Sequence, residues 1–548
     1  MDKRKCWRTV VCFLVLMLFL TGCQKKESKK QTAKTKDAQV WRVGAGDMLQ
    51  SMDSSNFFDQ NSMQAVNNVM EGLYRYRGKN IEPAMATKIV EPDASGLKYT
   101  FKLRQNALWS NGDPVTADNF VFAWQRTVDP KTKAQYAYLY SGIKNADAIR
   151  KGRLKPTALG IKKVDDHTFT VELERKIPYF TALMTNTPFF PQNQKIVKKY
   201  GKAYGTTAAK TVYNGPFSLT KWNGMSNSWT LVKNSKYWNQ KQVYLDRIEY
   251  VVVKDPNTAL NLFSNHQLDD IILSGEIAKQ KKSDPNFNSR ELTRTMYLTF
   301  NQGKNSALKN ESIRKALSLA IDRKQLTKDI LGDGSFPVHV LVPLGLANNP
   351  ATKNDFSKPI DQSTASYSTY NLAKAKELWE QGKKETGIDQ VTWTMLGEDN
   401  DSNKKLMEYF QGQLEKLPGL KINLQAVPHK TRLQFGQNGQ FDLMTSQVAA
   451  DFPDPVAILN VQTTNNVYNF GHTSNSRYDQ LIEKSNLESD PNKRFTQMSQ
   501  ALEILSQNQE VAPIYQLVEA HLTRRNLKGV TFSPNHLFNY VGANLNGK

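Results

Sequence analysis

Cysteine is scarce in this chain of 548 residues, and all three cysteines lie within the first 23 positions. Cys6 and Cys12 fall in a segment that we expect to be removed, and Cys23 has a separate predicted role. The remainder of the chain therefore has no cysteine for a disulfide framework, a thiol nucleophile or a thiolate-ligated metal site.

Sequence patterns typical of enzymes are also missing. The chain has no G-x-S-x-G, H-E-x-x-H or phosphate-binding loop motif. Its seven histidines are scattered without the spacing of metal ligands: His167, His266, His339, His429, His472, His521 and His536. We therefore expect a protein that is not an enzyme and has neither a metal site nor a cofactor.

Long hydrophobic runs are absent as well. The apolar run at residues 10–20 has eleven residues, whereas a membrane-spanning helix needs about 20. It follows a basic start and precedes Leu20-Thr21-Gly22-Cys23, so residues 1–22 are predicted to be a secretory signal peptide. The last four of these residues resemble a bacterial lipobox, in which Cys23 would be acylated. The alternative is a short membrane anchor with an incidental cysteine.

The residues that follow Cys23 are polar and rich in lysine. Residues 24–36 read QKKESKKQTAKTK and contain no large apolar side chain. Such a segment cannot form a core, so residues 23–38 are predicted to be a lipidated cysteine followed by a disordered tether.

Positive charge exceeds negative charge. The chain has 73 Lys and Arg against 51 Asp and Glu, a formal net charge of +22. A nucleic-acid partner is one possible reason for such a charge. The basic residues are spread along the whole chain, however, so we interpret the charge as adaptation to anionic lipids and wall polymers and expect no nucleic acid.

Strand and helix patterns alternate along the chain, which predicts mixed α/β domains. Strands are predicted at residues 39–43, 98–104 and 169–173, where apolar side chains recur with period two. Thr116 and Asn371 are predicted to cap amphipathic helices. The predicted buried side chains of three helices are Phe120, Trp124 and Thr127; Ile313, Ala316, Leu317, Ala320 and Ile321; and Leu372, Ala375 and Trp379.

Residues 85–130, which include WSNGDPVTADNFVFAWQR at 109–126, resemble the signature region of the extracellular solute-binding proteins of family 5. These proteins are the receptors of peptide-importing ABC transporters, and the 109–126 run is most similar to the oligopeptide-binding branch. Further blocks follow in the family's order: VMEGLYRY, YNGPFSLTKW, KNSKYWNQ, MYLTFNQ, SIRKALSLAIDR and AADFPDP. Most of these tryptophans, glycines and prolines are expected to build turns and core, including Trp109, Trp124 and Trp238.

The resemblance implies an α/β protein with a two-lobed, periplasmic-binding-protein-like fold (class II, enlarged), a hinge between the lobes and an extra third domain. Domain I would be discontinuous, at residues 39–75, 210–303 and 518–548. Domain II would span residues 76–209 and domain III residues 304–517.

The resemblance also implies a site. A receptor for varied peptides must bind the shared backbone and the charged ends, and an enclosed ammonium needs a carboxylate. Asp451 occupies the position of the family's aspartate that holds the peptide N-terminal amine. The alternative role is a turn or helix cap beside Pro453. Asp454 is expected to be structural.

Six further residues are implied to contact the peptide. Gln447 and Ala449 would offer main-chain groups, Phe58 and Gln60 would pair with its other edge, and Tyr140 would lie near its first residues. His429 falls near a pocket tryptophan of relatives, although it could equally be a solvated loop histidine.

The chain departs from better-known relatives at the expected far end of the peptide. Val448 stands where a tryptophan is common. Gly436 and Thr445 stand where some relatives carry arginines that meet the peptide carboxylate. How the C-terminus would be held is therefore open, and tolerance of longer peptides or a preference for apolar ones is expected.

The predicted function is a membrane-tethered, monomeric receptor that binds oligopeptides and delivers them to the subunits of an ABC permease. Its predicted location is the outer face of the cytoplasmic membrane of a Gram-positive cell. Such a cell has no outer membrane, so a receptor without a tether would diffuse away. Alternatives are a peptide-pheromone receptor for signalling, or a family member that binds dipeptides, haem or a nickel complex.

Overall fold

The computed structural model describes residues 38–57, 59–533 and 537–545. The predicted signal peptide, Cys23 and most of the tether therefore lie outside the described residues, as does Phe58. No helix within the described ranges is long and apolar enough to cross a membrane.

The strands are, in chain order, β1 (Val40–Ala45), β2 (Tyr74–Arg77), β3 (Asn80–Pro83), β4 (Lys98–Lys102), β5 (Ile161–Asp165), β6 (Thr168–Glu172), β7 (Phe217–Thr220), β8 (Ser228–Lys233), β9 (Arg247–Val252), β10 (Asp270–Leu273), β11 (Phe287–Phe300), β12 (Phe336–Pro337), β13 (Val391–Glu398), β14 (Leu420–Val427), β15 (Leu443–Ala449), β16 (Val511–Thr523), β17 (Leu527–Lys528), β18 (Thr531–Phe532), β19 (Phe538–Asn539) and β20 (Asn544–Leu545).

The α-helices are α1 (Gln60–Val69), α2 (Ala117–Val128), α3 (Ala146–Arg150), α4 (Phe180–Leu183), α5 (Gln194–Tyr200), α6 (Pro256–Ser264), α7 (Gly275–Lys281), α8 (Glu311–Leu319), α9 (Arg323–Gln325), α10 (Lys358–Thr364), α11 (Leu372–Thr386), α12 (Asp401–Leu414), α13 (His429–Gln437), α14 (Val456–Leu459), α15 (Ser476–Leu487) and α16 (Pro491–Gln507). One 3₁₀ segment, Gln135–Tyr140, is important for the site described below.

An eleven-stranded mixed sheet forms the centre of the protein, in the order β14-β13-β15-β11-β16-β10-β1-β9-β8-β7, with β12 paired to β16. Its two long strands, β11 and β16, are antiparallel and lie side by side in the middle of that order. Their pairing shifts register between Glu291 and Thr295. Strands β13, β14 and β15 lie on one side of this long pair, and β10, β1 and β9 lie on the other.

A separate three-stranded sheet, β4-β6-β5, packs against α2 and confirms the period-two prediction. Tyr99 and Phe101 of β4 and Phe169 and Val171 of β6 are all buried. Their rings stack, with 5.3 Å between the centroids of Phe101 and Phe169. This sheet belongs to the same apolar core as Val448 and Phe452, which lie more than 250 positions later in the chain.

The predicted helices are confirmed, including their buried faces and most of their caps. Asn371 Oδ1 accepts a hydrogen bond from Lys374 N at 3.0 Å, as expected of an N-cap. At the start of α2, Asn119 Oδ1 accepts from Thr116 N at 3.0 Å. The predicted core positions of α2 and α8 are buried, and Leu372 in α11 is only partly so. Trp109 and Trp124 are fully buried, as predicted for structural residues.

Candidate ligand-binding site

Asp451 lies two residues beyond the end of β15, and no cation from the described residues pairs with its carboxylate. None of the ion pairs among the described residues involves it. Burial raises the pKa of Asp451 to about 6, and a hydrogen bond from Tyr138 opposes part of that rise. The Tyr138 hydroxyl donates this bond to Asp451 Oδ2. A desolvated carboxylate held in this way is stabilised by any positively charged group that reaches it.

Tyrosine rings surround this carboxylate. The ring of Tyr138 lies 6.1 Å from that of Tyr468, nearly edge-on, and 6.3 Å from that of Tyr136. Burial raises the pKa of all three hydroxyls, and the charge of Asp451 raises them further. Aromatic faces beside a carboxylate favour an ammonium or guanidinium group, so the local chemistry favours a cation.

The segment around residue 58 lies near the same tyrosines. The ring of Phe57 lies 6.2 Å from that of Tyr136, and the charge of Asp59 contributes to the raised pKa of Tyr136. Asp59 caps α1, where its Oδ1 accepts from Ser62 N at 2.8 Å. Gln60, the first residue of α1, is exposed. Phe57 and Asp59 therefore lie near Tyr136, whose hydroxyl pKa is also raised by the charge of Asp451.

The second half of β15 has one open edge. On one side the strand pairs with β11 along its whole length, from Leu443 to Ala449. On the other side it pairs with β13 only at Leu443 and Met444. Within the described residues, positions 445–449 thus have no strand partner on that side, and Gln447 and Ala449 are exposed. An extended ligand can hydrogen-bond to such an edge as an added strand.

The loop after Asp451 is packed from two sides. The ring of Phe452 stacks on that of Tyr179, with 4.4 Å between centroids and 14° between planes. Asp454 accepts two hydrogen bonds from Arg494, at 2.7 and 2.8 Å. This pairing agrees with the structural role expected for Asp454.

Tyr140, which the resemblance placed near the ligand, does not reach the site. It has no exposed surface, its ring stacks on Phe189 at 4.3 Å, and its hydroxyl donates to Pro188 O at 2.8 Å. It therefore offers no surface to a ligand here, and Tyr138, two residues earlier, contacts Asp451 instead.

His429 begins α13 and is half exposed. Its Nδ1 lies 2.7 Å from Glu398 Oε1, and the same oxygen accepts from Arg432 Nε at 3.1 Å. The hydrogen bond to His429, aided by the charge of Arg432, lowers the pKa of Glu398. Whether His429 meets a ligand stays a prediction.

The two positions where relatives carry arginines are filled differently. Thr445 is buried and its hydroxyl donates to Asn403 Oδ1 at 3.0 Å. A side chain added at Gly436 would meet Met444 Sδ and the ring of Phe470 at ordinary contact distances. No group of three or more His, Cys, Asp or Glu within the described ranges is arranged to hold a metal ion.

Sequence reasoning missed Tyr136, Tyr138, Tyr468 and Arg494. The alternating tyrosines at residues 136–140 are visible in the sequence, but the sequence does not show which way each side chain points. The segment is a 3₁₀ helix, with about three residues per turn, so residues two positions apart point in different directions, whereas in a strand they would share one face. Nothing in the sequence near Arg494 indicates that it pairs with a residue 40 positions earlier.

The sequence and the fold of this chain are similar to those of known proteins. The profile described as "Bacterial extracellular solute-binding proteins, family 5 Middle" matches residues 80–470. The "Dipeptide-binding protein" of Lactococcus lactis subsp. cremoris (strain MG1363) is 36% identical over 443 residues, which cover 78% of this chain and 80% of that protein.

Two solved structures have the same fold over nearly the whole chain. "Listeria monocytogenes OppA bound to peptide" matches with a TM-score of 0.83 and 35% identity, covering 94% of this chain and 100% of that one. The structure of "pheromone receptor PrgZ" matches with a TM-score of 0.83 and 37% identity, covering 93% and 99%. These matches confirm the predicted two-lobed α/β fold.

Proposed function

Since this chain belongs to family 5 of the bacterial extracellular solute-binding proteins, we propose that it captures oligopeptides outside the cytoplasm and delivers them to an ABC permease. The family and its relatives are solute-binding transport proteins rather than enzymes. The observation that carries the proposal is Asp451, a desolvated carboxylate without a cation, beside an unpaired strand edge.

In this proposal, the α-ammonium of the peptide binds Asp451 and its backbone adds to the edge of β15 at residues 445–449. Gln447 and Ala449 supply main-chain groups, Tyr138 orients the carboxylate, and the segment that includes Phe58 and Gln60 lies along the opposite edge. This division of roles suits peptides of varied sequence, because every binding group meets a feature that all peptides share.

Further features of the proposal concern the whole chain. We propose that the mature protein begins at Cys23, is acylated there and stays on the outer face of the membrane of a Gram-positive cell. It acts as a monomer with the three domains given above. Labelling growing cells with a fatty-acid analogue tests the anchor, since replacement of Cys23 by Ala should abolish labelling and release the protein into the medium.

The experiment that tests the function uses the soluble form from residue 24 onward, unfolded and refolded to remove bound ligand. Calorimetry compares one peptide with a free N-terminus and the same peptide N-acetylated. A charge-assisted hydrogen bond contributes ~1.5–3 kcal/mol, so we expect acetylation to weaken binding about tenfold or more. Equal affinity for both peptides would remove the Asp451–ammonium contact, and no binding of any peptide would reject the function.

The second candidate is a signalling receptor for one peptide. The 37% identity to a pheromone receptor and the absence of arginine at Gly436 and Thr445 favour it as the alternative. Mass spectrometry of ligands that co-purify from cells separates the two. A ladder of mixed peptides supports import for nutrition, whereas a single dominant peptide supports signalling.

A further inference from the structure

The loop that carries Asp451 stays in place although its own chemistry opposes that position. A desolvated carboxylate without a cation lowers its free energy by turning towards water. Within the described residues, only the Tyr138 hydroxyl holds its Oδ2. A second set of contacts in the loop, made by Asp454, resists that movement.

Three residues further on, the loop is fixed by a buried pair. Arg494 donates from both terminal nitrogens to both oxygens of Asp454, at 2.7 and 2.8 Å. The Arg494 residue is 2% exposed and Asp454 is 7% exposed. Arg494 Nε also donates to Ser485 O at 3.2 Å, which ties the pair to two helices, α15 and α16. Asp454 Oδ1 accepts from Val456 N at 3.0 Å, so the carboxylate also sets the backbone that follows it.

Arg494 also lies near the stacked rings of Tyr179 and Phe452, and Phe452 directly follows Asp451 in the chain. Its guanidinium carbon is 5.6 Å from the centre of the Tyr179 ring, and that ring stacks on Phe452 at 4.4 Å. One side chain thus contacts Asp454, which belongs to the loop, and Tyr179, which stacks on the residue that follows Asp451. Pro453 and Pro455 restrict the backbone between these contacts.

We propose that Arg494 is a positioning residue, which never touches the peptide but holds Asp451 where it selects a free N-terminal amine. The inference deepens the proposed function and rests on it. Arginine is suited to this role because its planar fork fixes both the direction and the distance of a carboxylate, whereas lysine binds as a point charge on a flexible stem.

The test measures selectivity rather than affinity alone. The quantity is the ratio of the Kd of an N-acetylated peptide to the Kd of the same peptide with a free amine, determined by calorimetry on the refolded soluble form. Arg494→Lys keeps the positive charge and removes the fork. The double variant Arg494→Met/Asp454→Leu removes the whole pair, and such replacement by apolar side chains of similar volume often preserves stability.

We expect the ratio to fall at least threefold in both variants, because a mobile Asp451 binds the free amine less strongly. A role confined to stability would lower the unfolding midpoint and leave the ratio unchanged, and that result would overturn the proposal. All measurements are made well below the unfolding midpoint, and Arg494→Lys serves alone if the double variant fails to fold.

The chain offers a matched control. Arg314 and Glu510 form another buried pair, 3.3 Å apart and 4% and 8% exposed at their side chains, away from the loop at residues 451–455. Arg314→Met/Glu510→Leu should keep the ratio of the unaltered protein, whatever its effect on stability. If the unaltered protein itself shows a ratio near one, the Asp451 contact of the proposed function fails and this inference fails with it. A high ratio that survives both Arg494 variants rejects only the positioning role.

Discussion

At the scale of single residues, the site combines a charge that destabilises the empty protein with neighbours that hold it. Asp451 is partly buried, and among the described residues only a tyrosine hydroxyl donates to its Oδ2. Glu71, another buried acid, is fully partnered: it accepts from Tyr237 and Trp238, both at 2.6 Å, and also pairs with Arg75. The contrast between Glu71, which pairs with a cation, and Asp451, which pairs with none among the described residues, supports the proposal that Asp451 binds a ligand.

Asp451→Asn should make the ligand-free protein more stable at pH 7.5. The pKa of this carboxyl rises from 3.8 to about 6 on folding, so above pH 6 the folded protein carries an unfavourable charge that an amide lacks. A shift of this size corresponds to a gain on the order of 1–3 kcal/mol. The penalty diminishes as the pH falls through 6 and vanishes below 3.8, so the advantage of the variant should be smaller at pH 5.

Urea unfolding of both proteins at pH 7.5 and pH 5 checks this expectation. The same variant should bind a free-amine peptide about tenfold or more weakly, because the amide cannot pair with an ammonium. Two results would contradict the assignment of an uncompensated charge. One is a variant less stable than the unaltered protein, and the other is the same gain in unfolding free energy at both pH values.

Two tyrosines provide a matched pair of substitutions. Tyr138→Phe removes the donor to Asp451 and should weaken peptide binding about threefold to tenfold, since one hydrogen bond contributes about 1 kcal/mol. Tyr140→Phe removes the donor to Pro188 O in the core and should lower stability by a similar free energy without changing affinity. Calorimetry and thermal unfolding of both variants check this. If Tyr140→Phe weakened peptide binding and Tyr138→Phe lowered only stability, Tyr140 would belong to the site and Tyr138 would not.

At the scale of elements, periodicity predicted local structure well. The strands at residues 98–104 and 169–173 and the faces of α2 and α8 follow from apolar spacing, because burial of one face determines their pattern. The open edge of β15 could not be predicted in that way. It depends on where β13 stops pairing, which is a property of two strands that lie about 50 positions apart.

That open edge predicts which changes to a peptide matter. Methylation of a backbone nitrogen removes one donor, so a scan of N-methylated peptides should weaken binding about threefold to tenfold at alternate positions facing β15. Changing the side chain at the same positions from Ala to Val should have a smaller effect. Calorimetry on both peptide series checks this, and a receptor that responds to side chains more than to backbone methylation would exclude strand addition.

At the scale of the whole molecule, the site is assembled from distant segments. Phe57, Tyr138, Asp451 and Tyr468 come together although more than 400 positions separate the first from the last. Spacing within one sequence cannot reveal such a meeting, and only the resemblance to a family indicated Asp451. The resemblance implied Tyr140, which is buried, whereas Tyr138 contacts Asp451, because sequence similarity does not determine which way each residue of a 3₁₀ helix points.

The contacts of Tyr138 and Tyr179 with residues 451–452 predict that a peptide favours the closed arrangement. A ligand that bridges both sides stabilises the state in which these sides meet. Since the chain has no cysteine after Cys23, Tyr179→Cys/Phe452→Cys in the soluble form from residue 24 carries only the two introduced thiols. A short bis-maleimide should crosslink them several-fold faster with saturating free-amine peptide than without it.

Crosslinking before the peptide is added should block subsequent binding, and each single-cysteine variant should show neither effect. Equal rates with and without peptide would mean that the lobes meet irrespective of the ligand, so that binding would have to proceed without closure.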